Sequence, residues 1–144
     1  MAREIYTAEA VVTGGRAEGH GRTSDGELEV DLRTPKEMGG TGDGTNPEEL
    51  FAVGYAACFE SALGVVGRRE RAEVGDVSIT SRVSLLPNEK KGFDLAVALD
   101  VTLPQVSDSD EAKRIVAAAH QVCPYSNATR GNIDVKLTAN GQPV

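Results

Sequence analysis

A chain of 144 residues, 40% hydrophobic and 26% charged, is long enough for one compact domain with a sizeable core and too apolar to be disordered. A net charge of -7 with the basic residues scattered argues against nucleic acid or anionic membrane as the main partner, because nothing gathers positive charge to meet phosphate. The chain opens directly into strand-like residues without a secretory signal, and its longest apolar run is too short and too quickly charged, at Arg68, Arg69 and Glu70, to cross a bilayer; the expectation is a cytoplasmic protein.

Residues 3–12, with Ile5, Tyr6, Thr7, Val11 and Val12, read as a strand that turns at Gly14 and Gly15. Residues 16–24 follow as a second strand, and Asp25 with Gly26 is a hairpin signal. From Glu27 to Arg33, Leu28, Val30 and Leu32 alternate with charged residues, the pattern of a sheet with one wet face, and Pro35 ends it. The segment with Gly39, Gly40, Gly42 and Gly44 lacks the Gly-Lys-Ser/Thr of a phosphate loop and reads as a mobile loop near a site.

The best specified element is a helix from Asn46 to about Glu70. Asn46 suits the N-cap, Pro47 the first helical position, and Glu49 the capping-box spacing. No charge interrupts Leu50 to Phe59, and a helix apolar all round belongs inside a protein. Cys58 lies within it. Beyond, the alternations Val77 to Leu85 and Phe93 to Leu103 make a long hairpin. Ser107 or Asp108 caps a second helix with an apolar stripe of Ile115, Val116 and Ala119, which stops at Cys123 because Pro124 follows. A turn over 125–131 leads to a last strand with Ile133, Val135 and Leu137. The order β-β-β-α-β-β-α-β predicts a single α+β domain over 1–144, in which strongly twisted, mainly antiparallel sheet wraps a long buried central helix.

Two cysteines far apart in a cytoplasmic chain can be a redox pair, a reactive thiol with an inert one, or two core residues. Cys58 taken alone is an ordinary core cysteine; Cys123, at a helix boundary before Pro124, changes the balance toward one thiol that attacks and a second that resolves. A helix carboxyl end disfavours a thiolate, which makes Cys123 the poorer nucleophile. Cys58, about three turns into its helix, gains nothing from a helix start and needs a cation to bring its pKa below roughly 8.5. Arg16, after the Gly14–Gly15 turn, could supply one, although a solvated strand arginine reads the same way, and Glu48 is equally explained by the helix dipole. His120 shares a helix face with Cys123, but with His20 it falls short of four zinc ligands, and no serine triad is present.

Two stretches then carry a resemblance. Asn46-Pro47-Glu48 through Leu50-Phe51 and Gly54-Tyr55-Ala56-Ala57-Cys58-Phe59, with Cys123-Pro124-Tyr125-Ser126-Asn127-Ala128-Thr129-Arg130-Gly131, resemble the two cysteine motifs of the organic hydroperoxide resistance proteins, in the superfamily of osmotically inducible protein C. The resemblance covers essentially the whole chain; Glu49 stands where glutamine is common. It implies a cytoplasmic, cofactor-free, metal-free thiol peroxidase that reduces organic hydroperoxides to alcohols as an intertwined homodimer. It also implies that Cys58 is peroxidatic, Cys123 resolving through a Cys58–Cys123 disulfide, Arg16 a thiolate stabiliser oriented by Glu48, and a lipoylated protein or other dithiol the reductant. Phe51, Tyr55 and Phe59 are candidate lining for the organic part of the substrate. The osmotically inducible branch of the superfamily, and a thiol redox sensor or binding module that does not turn over, are the competing readings. Helix geometry adds one expectation. Glu48 and Cys58 stand about 15 Å apart along a continuous helix and roughly 80° apart round it. One site can therefore hold both only if the helix breaks near Gly54 or a second subunit contributes.

Overall fold

The computed structural model describes residues 2–144. The elements run β1 (Ala10–Thr13), β2 (Gly19–Thr23), β3 (Glu29–Leu32), a 3-10 turn (Lys36–Met38), α1 (Pro47–Glu70), β4 (Ser78–Pro87), β5 (Phe93–Thr102), α2 (Ser109–Val122), α3 (Pro124–Thr129), β6 (Asp134–Ala139) and β7 (Gln142–Pro143). They form two compact units, Met1–Leu50 and Phe51–Val144.

In the first unit β1, β2 and β3 make an antiparallel meander, with Val12 opposite Gly21 and His20 opposite Asp31. The β1–β2 turn needs glycine. Gly14 has φ +77°, and a Cβ there would stand 2.1 Å from the carbonyl oxygen of Glu18. β1 is shorter than residues 3–12: among the described residues no strand precedes Ala10, and Ile5 is 98% exposed. After β3 the chain returns alongside it, with the Thr45 N–H donating to the Asp31 carbonyl and the Arg33 N–H to the Thr45 carbonyl, each at 2.9 Å. This delivers Asn46 to the start of α1. Asn46 Oδ1 accepts the Glu49 N–H at 2.8 Å, so the cap forms as expected; the Glu49 carboxylate accepts from the Thr45 hydroxyl instead of closing a capping box.

In the second unit β4 and β5 form the expected hairpin, with Val83 opposite Val97. β6 joins β5 in parallel, and β7 adds a short antiparallel edge that the sequence did not announce. A parallel neighbour requires a crossover, which α2 and α3 provide. Asp108 caps α2 by accepting the Glu111 N–H at 2.9 Å. Val97, Leu99 and Val101 on one face of β5 pack with Phe59, Leu63 and Val66 of α1 and Ile115, Val116 and Ala119 of α2. The mixed α+β class with mainly antiparallel strands is as expected, distributed over two sheets and with one parallel pair.

Two expectations about α1 need correction. The helix is not enclosed on all sides: Tyr55, Phe59, Ala62, Leu63, Val66 and Gly67 are buried, while Leu50 and Ala57 are exposed and Val53 is 71% exposed. Its composition is apolar all round, but only one face meets the core of this chain. At 24 residues it is also long and apolar enough to cross a bilayer by length and composition; its packed face gives that apolar content a use inside the fold.

Candidate redox site

The residues singled out in the sequence come together as two pairs. In the first unit, the glycine turn projects Arg16 and the first turn of α1 presents Glu48. The guanidinium grips the carboxylate with both prongs, Nη1 to Oε2 at 3.1 Å and Nη2 to Oε1 at 3.0 Å. The planar fork matches the carboxylate, which is the geometry that distinguishes arginine from lysine. Hydrogen bonding to Arg16 holds the Glu48 carboxyl below the usual range against the desolvation that opposes it, and Glu48 in turn raises Arg16. Each partner therefore stays charged and fixed in direction.

In the second unit, Cys58 on α1 lies close enough to Cys123 for Cys123 to raise its thiol, and both are free thiols. Cys58 is half-buried and reachable from solvent, whereas Cys123 is fully buried. Burial raises the Cys58 thiol above its ordinary pKa, Cys123 raises it further, and the backbone N–H of Tyr125 donates to the sulfur and opposes both. That N–H is one of the unpaired donors at the start of α3. Cys58 thus gains help from a helix start after all, from a neighbouring helix rather than its own. Cys123, with extended backbone at φ -62° and ψ 123°, ends α2 and begins α3 at once. The clearest difference between the two thiols is exposure.

The aromatic residues divide. Tyr55 and Phe59 are closed into the core and offer no surface to a ligand, which removes them from the expected lining; Phe51 is half-buried. Tyr125 takes their place at the surface. Its ring centroid lies 5.8 Å from that of Phe51 and 5.7 Å from that of Tyr55. Gly54 makes this possible, since a Cβ there would stand 3.0 Å from the Tyr125 hydroxyl. Reading the sequence missed Tyr125, Ser126 and Thr129, although all three sit in the second cysteine motif and Ser126 and Thr129 have helical spacing. Among the described residues no group of three or more potential ligands could hold a metal ion, His120 and Cys123 included.

Comparison with known proteins matches the chain to one family. The sequence model of OsmC-like proteins matches residues 40–138. An organic hydroperoxide resistance protein of Xanthomonas axonopodis pv. citri is 51% identical over 93% of this chain and 94% of its own. Among solved structures, an organic hydroperoxide resistance protein of Elizabethkingia anophelis superposes with a TM-score of 0.89 at 47% identity, over 95% of this chain and 97% of that one. The organic hydroperoxide resistance protein OhrB of Bacillus subtilis gives 0.84 at 46% identity, over 94% and 98%. The chain belongs to the organic hydroperoxide resistance protein family of the OsmC-like superfamily.

Proposed function

We propose that this chain is a cysteine-based peroxidase that reduces organic hydroperoxides to alcohols. The observation that carries the reading is the half-exposed Cys58 thiol close to the buried Cys123 thiol. The Cys58 thiolate attacks the terminal oxygen of the hydroperoxide; the O–O bond breaks, the alkoxide leaves and takes a proton to become the alcohol, and Cys58 becomes a sulfenic acid. Cys123 sulfur then attacks the Cys58 sulfur, the S–O bond breaks, and the hydroxide leaves with the Cys123 proton as water, giving the Cys58–Cys123 disulfide. A dithiol such as a protein-bound lipoyl group restores both thiols and becomes a disulfide itself.

A thiol raised by burial needs a cation before it can act at neutral pH, and Arg16, held by Glu48, is our candidate. The organic part of the substrate would lie against Phe51 and Tyr125, favouring alkyl over hydrogen peroxide. The working form would be a cytoplasmic, cofactor-free homodimer, a reading supported by the exposed apolar side chains of Val53, Ile5 and Val11. The test is steady-state turnover of an alkyl hydroperoxide and of hydrogen peroxide, each with lipoamide and with thioredoxin. Turnover should be fastest with the alkyl hydroperoxide and lipoamide. A single stoichiometric oxidation without turnover under any of the four conditions would mark a redox sensor instead.

A further inference from the structure

Tyr55 precedes Cys58 by one helical turn on α1, and its side chain is completely enclosed. Its phenol oxygen lies 2.8 Å from Ser126 Oγ and 3.1 Å from Thr129 Oγ1, and the Thr129 hydroxyl also approaches the Ser126 carbonyl at 3.3 Å. Ser126 and Thr129 are themselves buried. Three hydroxyls in an apolar core cost desolvation that a phenylalanine, an alanine and a valine would avoid, so what they add is direction. They tie α1 to α3. A helix of six residues is marginal alone, and α3 is set off from α2 by the bend at Cys123. The knot fixes its rotation and height against α1 in a way that apolar packing alone would not.

The same two helices meet again one turn further along. There α1 presents Cys58, and the start of α3 presents the Cys123 thiol and the Tyr125 N–H. We infer that Tyr55, Ser126 and Thr129 are a positioning set for the cysteine pair: their hydrogen bonds hold α3 against α1 so that the Cys123 sulfur and the Tyr125 N–H both face Cys58. Their hydrogen bonds run to one another and to the Ser126 carbonyl, and they act through α3. Disulfide formation is a suitable process for such control, since the bond tolerates only a narrow range of separation and torsion, and small misplacements of reacting groups slow reactions by roughly 100-fold. The inference rests on the proposed roles of Cys58 and Cys123 and adds what makes them meet.

The experiment is a single-turnover reaction with one equivalent of an alkyl hydroperoxide, followed by a sulfenic acid trap and by the loss of free thiols, together with a pH titration of Cys58 alkylation. In Tyr55→Phe, which keeps the ring, disulfide formation should slow by about tenfold or more while sulfenic acid accumulates, and the Cys58 titration should move to higher pH as the Tyr125 N–H loses its aim. A Ser126→Ala, Thr129→Val double variant should do the same, and combining it with Tyr55→Phe should add little, because all three remove one knot. The double variant also gives the readout if Tyr55→Phe does not fold. Wild-type condensation rates and titration in either variant, with only the unfolding midpoint lowered, would overturn the inference and show a purely structural knot. Failure of the wild-type chain to form the Cys58–Cys123 disulfide would instead overturn the proposed function.

Discussion

Of Cys58 and Cys123 only Cys58 is open to solvent, and this difference in exposure supports the roles proposed for them. Cys58→Ser should abolish peroxide consumption. Cys123→Ser should consume about one equivalent per chain and leave a trappable sulfenic acid; normal multiple turnover by the Cys58 variant would reverse the assignment. His20 offers a separate check on the first unit. It sits opposite Asp31 on the neighbouring strand, with Nδ1 2.9 Å from Asp31 Oδ1 and Nε2 2.8 Å from Glu29 Oε2. Hydrogen bonds to Asp31 and then Glu29 raise its pKa. A raised histidine stabilises the fold fully below its unfolded pKa of about 6.5, and the contribution is lost as pH rises through the higher folded value. The unfolding midpoint of wild type should therefore exceed that of His20→Asn at pH 6 and converge with it in mildly alkaline buffer; a constant difference across that range would show that charge is not involved. Such pairings were out of reach of the sequence. His20 reads as an ordinary strand histidine until the register of β2 and β3 is known, whereas the cysteines stood out because each occupied a structurally marked position. Arg16 and Glu48 were legible only through family resemblance, since each has an ordinary local explanation.

Elements with a strong period or a cap were legible, and those whose pairing is decided at long range were not. The caps of α1 and α2 and the alternation of β5 are local signals, and the elements follow them. β7 is two residues long and exists because β6 is there to pair with, and the parallel alignment of β6 on β5 depends on how the α2–α3 crossover returns. Asn140 shows how such non-local structure is held. At φ 48° in the β6–β7 turn it occupies a left-handed conformation, and its side chain accepts the Leu103 N–H at 2.7 Å and donates to the carbonyls of Leu103 at 3.2 Å and Val106 at 3.0 Å. One side chain thereby fastens the end of the sheet to the loop between β5 and α2. Asn140→Ala loses all three bonds, strands part-buried backbone groups and strains the turn, for an expected loss of about 2–4 kcal/mol of unfolding free energy. Asn140→Gly relieves the strain but not the lost bonds, so it should be intermediate in denaturant unfolding. An alanine variant within about 0.5 kcal/mol of wild type would mean that water replaces these bonds at no cost.

At the scale of the whole molecule, the continuity of α1 leaves one of the two arrangements considered for the site. The helix runs unbroken from Pro47 to Glu70, Gly54 included, so Glu48 and Cys58 of one chain remain about 15 Å apart along its axis. Arg16 is gripped by Glu48 of its own chain. We propose that a second subunit brings the pair to Cys58, and the exposed side of α1 with Leu50, Val53 and Ala57 offers it a surface. We therefore expect a two-fold dimer in which each chain lends Arg16 and Glu48 to the other's Cys58. Co-expression of an Arg16→Ala, Glu48→Ala double variant with a Cys58→Ser variant tests this directly. Each homodimer lacks a component at both sites, but a mixed dimer joins the intact Cys58 of one chain to the intact pair of the other and regains one site of two. Random pairing makes about half of the dimers mixed, so recovery should approach about a quarter of wild-type turnover per chain. No recovery in verified mixed dimers, or full activity in a dilute monomer, would place all three groups within a single chain.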